Sequence, residues 1–195
     1  MAEVIALDKR DGYIYDPIVR GYDTTTPFWK TIAGIPTIST VYLSFNAAEA
    51  ASWLLHLFAE GEFLLNVPVK PTAGDVRFWG FKNPASNNLG AAYFNIAGTA
   101  FTAVVIDGNG NTKSTTITWD DTHWTAAAVV YRIRWEKDHV LFEIGVDTAH
   151  MLIVADFTSK DVSIPLGPLA LHIKNGNSDA MNFTYIASKR AAALI

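Results

Sequence analysis

The sequence predicts an all-β protein, a two-sheet antiparallel β-sandwich, on three observations. About a dozen short apolar or alternating runs recur, with turn signals roughly every 8 to 12 residues. The stretch Tyr131 to Ile144 alternates on both sides of a polar break, Lys137-Asp138, as a hairpin with one buried face does. The chain is 12% aromatic but only 17% charged, below the roughly 25% of ordinary soluble domains. That balance suits sheets that cover each other's faces, or surface covered by assembly. At 195 residues the chain is long enough for one sizeable core.

The hairpin fixes the reading. With its turn at Lys137-Asp138, Trp135 faces Val140, Ile133 faces Phe142 and Tyr131 faces Ile144 on the apolar side. Arg132 falls opposite Glu143 on the other side, an opposite-charge pair that helps pin the register. Residues 1 to 30 read as an N-terminal arm or extension carrying Phe28 and Trp29, residues 31 to 190 as the single sandwich domain, and 191 to 195 as a tail. Thr37 to Asn46 reads as one strand, with Val41, Leu43 and Phe45 on one face. Ala47 to Ala51 favours helix by propensity, and a strand is expected from about Ala51. Glu60-Gly61 then turns the chain into a strand from Glu62 to Val69, with Pro68 at its edge or end. Strands follow at Asp75 to Phe81, Ala91 to Ile96, Ala100 to Ile106 and Lys113 to Trp119. Asp107-Gly108-Asn109-Gly110-Asn111 is a turn between the last two. Met151 to Phe157, Leu169 to Ile173 and Met181 to Ile186 complete the set. Ser188 to Ile195 reads as a frayed or helical tail.

Several function classes are excluded or disfavoured. The net charge is −4 and no basic stripe exists, so no nucleic-acid partner is expected. No apolar run reaches 18 residues, so no membrane span is expected. Cysteine is absent, which removes disulfides and thiolate metal sites. The first ten residues do not read as a secretory signal. The source compartment is open, with a virion or extracellular surface suspected.

The strand series resembles a known family. Ala92-Tyr93-Phe94-Asn95-Ile96, then Trp119, then Tyr131-Arg132-Ile133-Arg134-Trp135 with Val140-Leu141-Phe142-Glu143-Ile144, then Pro168-Leu169-Ala170-Leu171-His172-Ile173 and Phe183-Thr184-Tyr185-Ile186 is similar to the second half of concanavalin A-like jelly rolls. Laminarinase-type hydrolases and laminin-G-like lectin modules are its members. The similarity spans about Glu62 to Ser188 and implies a jelly-roll sandwich. Gly145-Val146-Asp147 stands where the family usually has Asp-Gly.

The resembled hydrolases carry a Glu-x-Asp-x-Glu strand, whose alternation sets nucleophile and acid on one face at the roughly 5 Å that retention requires. The chain has six Glu, at 3, 49, 60, 62, 136 and 143, and none completes that motif. Glu136-Lys137-Asp138 begins it, inside a turn. The expectation is therefore no enzyme. The five His, at 56, 123, 139, 150 and 172, lack metal-ligand spacing. His56 and His172 read as satisfied structural groups and His139 as a solvated turn residue. Asp107, Asn109 and Asn111 place oxygens at alternate positions, a weak hint of Ca²⁺; no other metal or cofactor is implied. For glycan binding the candidates are Trp124, Asp120, Asp121, His123, Asn87, Asn88 and Trp79, loop residues that offer rings for stacking and planar polar groups for hydroxyls. Trp124 is the ring expected to be exposed.

The functional expectation is a non-catalytic structural, assembly or adhesion protein of a virion or surface, self-associating as a homo-oligomer. The alternative is a carbohydrate-binding, lectin-like module.

Overall fold

The computed structural model describes residues 14–17, 29–38, 42–56, 59–66, 69–83, 85, 89–124 and 128–190. They form fifteen strands: β1 (Ile14–Pro17), β2 (Trp29–Ala33), β3 (Thr37–Ile38), β4 (Leu43–Phe45), β5 (Ala48–His56), β6 (Ala59–Leu65), β7 (Val76–Lys82), β8 (Ala91–Ala97), β9 (Ala100–Ile106), β10 (Thr112–Thr116), β11 (Val129–Trp135), β12 (His139–Gly145), β13 (Met151–Thr158), β14 (Leu169–Asn175) and β15 (Met181–Arg190). Among the described residues there is no helix, and none long and apolar enough to cross a membrane.

Two antiparallel sheets stack face to face. One runs β13-β12-β11-β6-β15-β4-β3, with β1 also paired to β15; the other runs β10-β9-β8-β7-β14-β5-β2. This is the all-β sandwich that the alternation predicts. The hairpin register agrees pair for pair: Tyr131 with Ile144, Ile133 with Phe142, Trp135 with Val140 and Arg132 with Glu143.

Elsewhere the boundaries move. Glu60-Gly61 is not a turn; both residues lie inside β6. Gly61 is there because a Cβ would sit 2.8 Å from the ring of Phe81 across the sandwich. The helix-favouring Ala48-Glu49-Ala50-Ala51 is strand from Ala48 onward. Tertiary pairing on β14 and β2 overrides a propensity worth only tenths of a kcal/mol per residue. The last strand continues to Arg190, because Ser188 to Arg190 pair with Gly61 to Ala59; residues 191–195 lie outside the described residues.

Between the sheets the core is aromatic. Trp79 stacks on Phe94 and Phe101 at 5.7 and 6.1 Å, with Tyr131 edge-on at 5.0 Å. Offset and edge-to-face pairs of this kind add to area burial. Trp135 donates its indole N–H to the Pro165 carbonyl at 3.0 Å.

Candidate functional site

Each sheet has a second face, turned away from the core, and polar side chains gather on both. On the seven-stranded sheet, registers place Phe78, Gly80 and Lys82 of β7 between Asn95, Tyr93 and Ala91 of β8 and Lys174, His172 and Ala170 of β14. Leu169, Leu171 and Ile173 point to the core, so period two turns Ala170, His172 and Lys174 outward.

Gly80 is the floor of this face. Its φ is +154°, and a Cβ would lie 2.5 Å from the Ala92 carbonyl oxygen and 2.6 Å from Tyr93 Cα. Around it stand rings: Phe78 lies 5.5 Å from Tyr93 and 4.9 Å from His172. Lys82 Nζ sits over both, 4.4 Å from the Phe78 centroid and 5.3 Å from that of Tyr93, within reach of a cation–π attraction. Beyond Tyr93 the floor continues in apolar Ala91, Val104 and Ile106.

His172 Nε2 meets Glu49 Oε1 at 2.8 Å, and Lys174 Nζ meets Glu49 Oε2 at 3.1 Å. Burial pushes the Glu49 carboxyl up, but hydrogen bonds from Lys174 and His172 outweigh it, and the group lies below the usual carboxylate range. Burial holds His172 down to about 4, against the pull of Glu49. The imidazole is then neutral at pH 7, donates Nε2–H to Glu49 and leaves Nδ1 as a lone-pair acceptor. Burial also depresses Lys82 and raises the Tyr93 phenol. Next to Glu49 and Lys174 a pocket of about 160 Å³ opens, lined also by Ala33, Ala47, Ala48, Asn175 and Gly176. That is below the roughly 300 Å³ of a drug-sized site; it suits one small group or a chain end.

The eight-stranded sheet carries an ionic ladder instead. Arg132 Nε donates to Glu62 Oε1 at 2.9 Å and lies 3.3 Å from Glu60 Oε1. Its opposite number in the hairpin, Glu143, stands 3.7 Å away. Arg134 takes Glu143 in a bidentate grip at 2.9 and 3.1 Å. Tyr185 donates to Glu62 Oε2 at 3.3 Å. Three glutamates and two arginines thus interlock, with one negative charge in excess.

The sequence candidates fall elsewhere. Trp124 is 6% exposed and packs edge-on against Trp119 at 5.6 Å; it is not the exposed ring expected. Trp79 is 1% exposed, inside the aromatic stack. Neither presents a face to a sugar, because burial of large apolar area dominates their placement. Asp120 accepts from the backbone N–H of Thr122 and His123 and touches His123 Nδ1 at 2.7 Å. The hydrogen bond from His123 is the largest cause holding its carboxyl below the usual range. Asp121 pairs with exposed Lys70. Asn87 and Asn88 lie outside the described residues.

Asp107 is consumed by its own turn. Oδ1 accepts from the N–H of Asn109 and Asn111, and Oδ2 from the Asn111 side chain, all at 2.8 Å. The alternate oxygens that hinted at Ca²⁺ belong to a side-chain-closed turn. His139 lies with Glu136 and Asp138 at the tip of the β11–β12 hairpin, where short contacts to both acids account for it.

No protein-family model matches the chain, and no curated protein does. Solved structures do. An apo Crh5 transglycosylase superposes with a TM-score of 0.72 over 93% of this chain and 85% of that one, at 16% identity. The Ca²⁺-bound exoplasmic/lumenal domain of VIP36 gives 0.62 over 94% and 92%, at 10% identity. The Bacillus licheniformis β-glucanase gives 0.60 over 92% and 99%, at 12% identity. The chain therefore has the concanavalin A-like jelly-roll fold that its strand series resembles.

These neighbours overturn two expectations. The expectation of a non-catalytic structural or adhesion protein of a virion or surface is overturned by neighbours named as a transglycosylase and a β-glucanase. Nor does the missing Glu-x-Asp-x-Glu strand exclude an enzyme, since a transglycosylase and a glucanase share the sandwich. Sequence reasoning also missed the Gly80 face. Its one legible signal was polar residues at every second position, His172 and Lys174 on β14, set in a strand that otherwise reads as core.

Proposed function

We propose that the chain recognises a glycan across the outer face of the seven-stranded sheet, around Gly80. One observation carries the reading. A side-chain-free floor lies beside the half-buried ring of Tyr93, with buried Phe78 packed behind it, and His172, Lys82, Glu49 and Lys174 are the polar groups. Sugar recognition needs a ring surface for the apolar face of a pyranose and directed donors and acceptors for its hydroxyls. The fold neighbours, a VIP36 domain also solved with Man2 bound and two carbohydrate enzymes by name, support the same class. Titration calorimetry against neutral and acidic oligosaccharides tests it: Tyr93→Ala is expected to weaken binding about tenfold while the melting profile holds. Wild-type protein that binds none of them sinks the reading.

A catalytic reading rests on the Glu49–His172 pair, a carboxylate–imidazole unit in hydrogen-bond reach at 2.8 Å of the kind that moves protons in bond cleavage. Shortening of an oligosaccharide by wild type but not by His172→Gln would establish it. Binding without any shortening would leave recognition alone.

Self-association has its own basis. The edge strand β13 shows Leu152 at 69% and Ile153 at 58% exposure. The edge strand of the seven-stranded sheet, β10, is instead wholly polar and carries Lys113, the usual protection of a free edge. Two copies pairing β13 antiparallel about Ile153 would set Leu152 against Val154 and His150 against Asp156. A second copy is thus the occupant, and two linked glycan faces would raise avidity. Light scattering on Ile153→Lys beside wild type checks it; equal monomeric masses would refute it.

A further inference from the structure

Among the described residues, Lys82 is the least explained charge. Its side chain is 7% exposed, yet among the described residues no carboxylate lies within ion-pair distance and no acceptor takes its protons; its contacts are the rings of Phe78 and Tyr93. Buried ammonium groups are ordinarily paired. A second orphan lies on the same face: His172 Nδ1 is buried without a partner, on a side chain 3% exposed. Glu49, the carboxylate of this face, already accepts from His172 and Lys174. The two unmet groups are thus a cation and a neutral acceptor, flanking a glycine floor and two rings.

Resting on the glycan reading above, we infer that the sugar this face takes is anionic, with its acidic oxygens docked at Lys82 Nζ and a neighbouring hydroxyl donating to His172 Nδ1. A carboxylate supplies the missing counter-ion, and the hydroxyl supplies the missing donor. A neutral hexose supplies only the second. The same anionic chemistry is found in uronates and in sulfated sugars. Lys174 does not compete for it, because Glu49 holds it.

The test is calorimetry on the full chain with three oligosaccharides of equal length: an oligogalacturonate, a sulfated oligosaccharide and a neutral β-glucan oligosaccharide. Lys82→Met keeps the stem over the rings and removes the charge; Lys82→Arg keeps the charge. The expected result is capture of an acidic oligosaccharide that weakens with added salt, falls about tenfold or more in Lys82→Met, and is retained in Lys82→Arg. Preference for the galacturonate identifies a carboxylate; preference for the sulfated chain identifies a sulfate ester. Neutral glucan bound as tightly as either acid, with Lys82→Met unchanged, overturns the inference and leaves the glycan face standing. No binding of any of the three by wild type overturns both. Thermal melts of the two variants show that loss of binding is not loss of fold.

Discussion

The two outer faces of the sandwich use the same residue types to opposite ends. On the eight-stranded sheet, Arg132 and Arg134 are held by Glu60, Glu62 and Glu143, and Tyr185 donates to the second oxygen of Glu62. On the seven-stranded sheet, one carboxylate, Glu49, serves two partners, and Lys82 and His172 Nδ1 are left over. A closed network stabilises its own geometry and has nothing to offer a ligand. An open one carries a desolvation cost in the free protein that a matching ligand relieves. Charge density alone would have chosen the first face as the site; hydrogen-bond accounting chooses the second.

The contrast is broken most severely at Glu62. Glu62→Ala takes the nearest carboxylate from Arg132 but leaves Glu60 and Glu143 beside it; an uncompensated buried charge would cost about 3–5 kcal/mol, and the two remaining acids hold the loss to roughly 1–3 kcal/mol. Glu62 is 2% exposed, which places it toward the upper end of that range, so chemical denaturation should show a clear loss, with glycan binding at the Gly80 face unchanged wherever the protein folds. Equal stability would mean that the ladder is ornamental.

A pH titration of stability probes the other face. His172 is near 4 when folded, against an ordinary 6.5. Between those values the unfolded chain binds the proton and the folded one does not. Stability is therefore complete above pH 6.5 and is lost as pH falls toward 4, by at most about 3 kcal/mol. Glu49, whose pKa is also lowered, contributes in the same direction at lower pH. In His172→Gln the slope between pH 6.5 and 4 should flatten; an unaltered slope would place the acid sensitivity elsewhere.

Lys82→Met should behave unlike Glu62→Ala. Removing an unpaired, buried cation is expected to leave stability equal or to raise it by about 1 kcal/mol, readable as a higher midpoint in urea. A loss of several kcal/mol would show that Lys82 is structural, as Arg132 is. The smallest effect belongs to the edge: Ile153→Lys, at an exposed position, should change monomer stability by less than about 0.5 kcal/mol while altering the mass in solution.

The sequence by itself determined the sandwich. Alternation at Tyr131 to Trp135 and Val140 to Ile144 encodes strands, faces and register at once, because side chains on a strand repeat every second residue and one face must be dry. It also determined the turn chemistry at Asp107 to Asn111. It did not determine which aromatics face water: Trp124 and Trp79 carry no mark that separates a loop ring from a core ring until the second sheet lies over them. Nor did it place Glu49 against His172, 123 residues apart, or Lys82 over the rings of Phe78 and Tyr93. Those juxtapositions come from β14 pairing with both β5 and β7, a long-range choice. Local propensity is worth too little to encode such a choice, and only the packing of the whole core selects it.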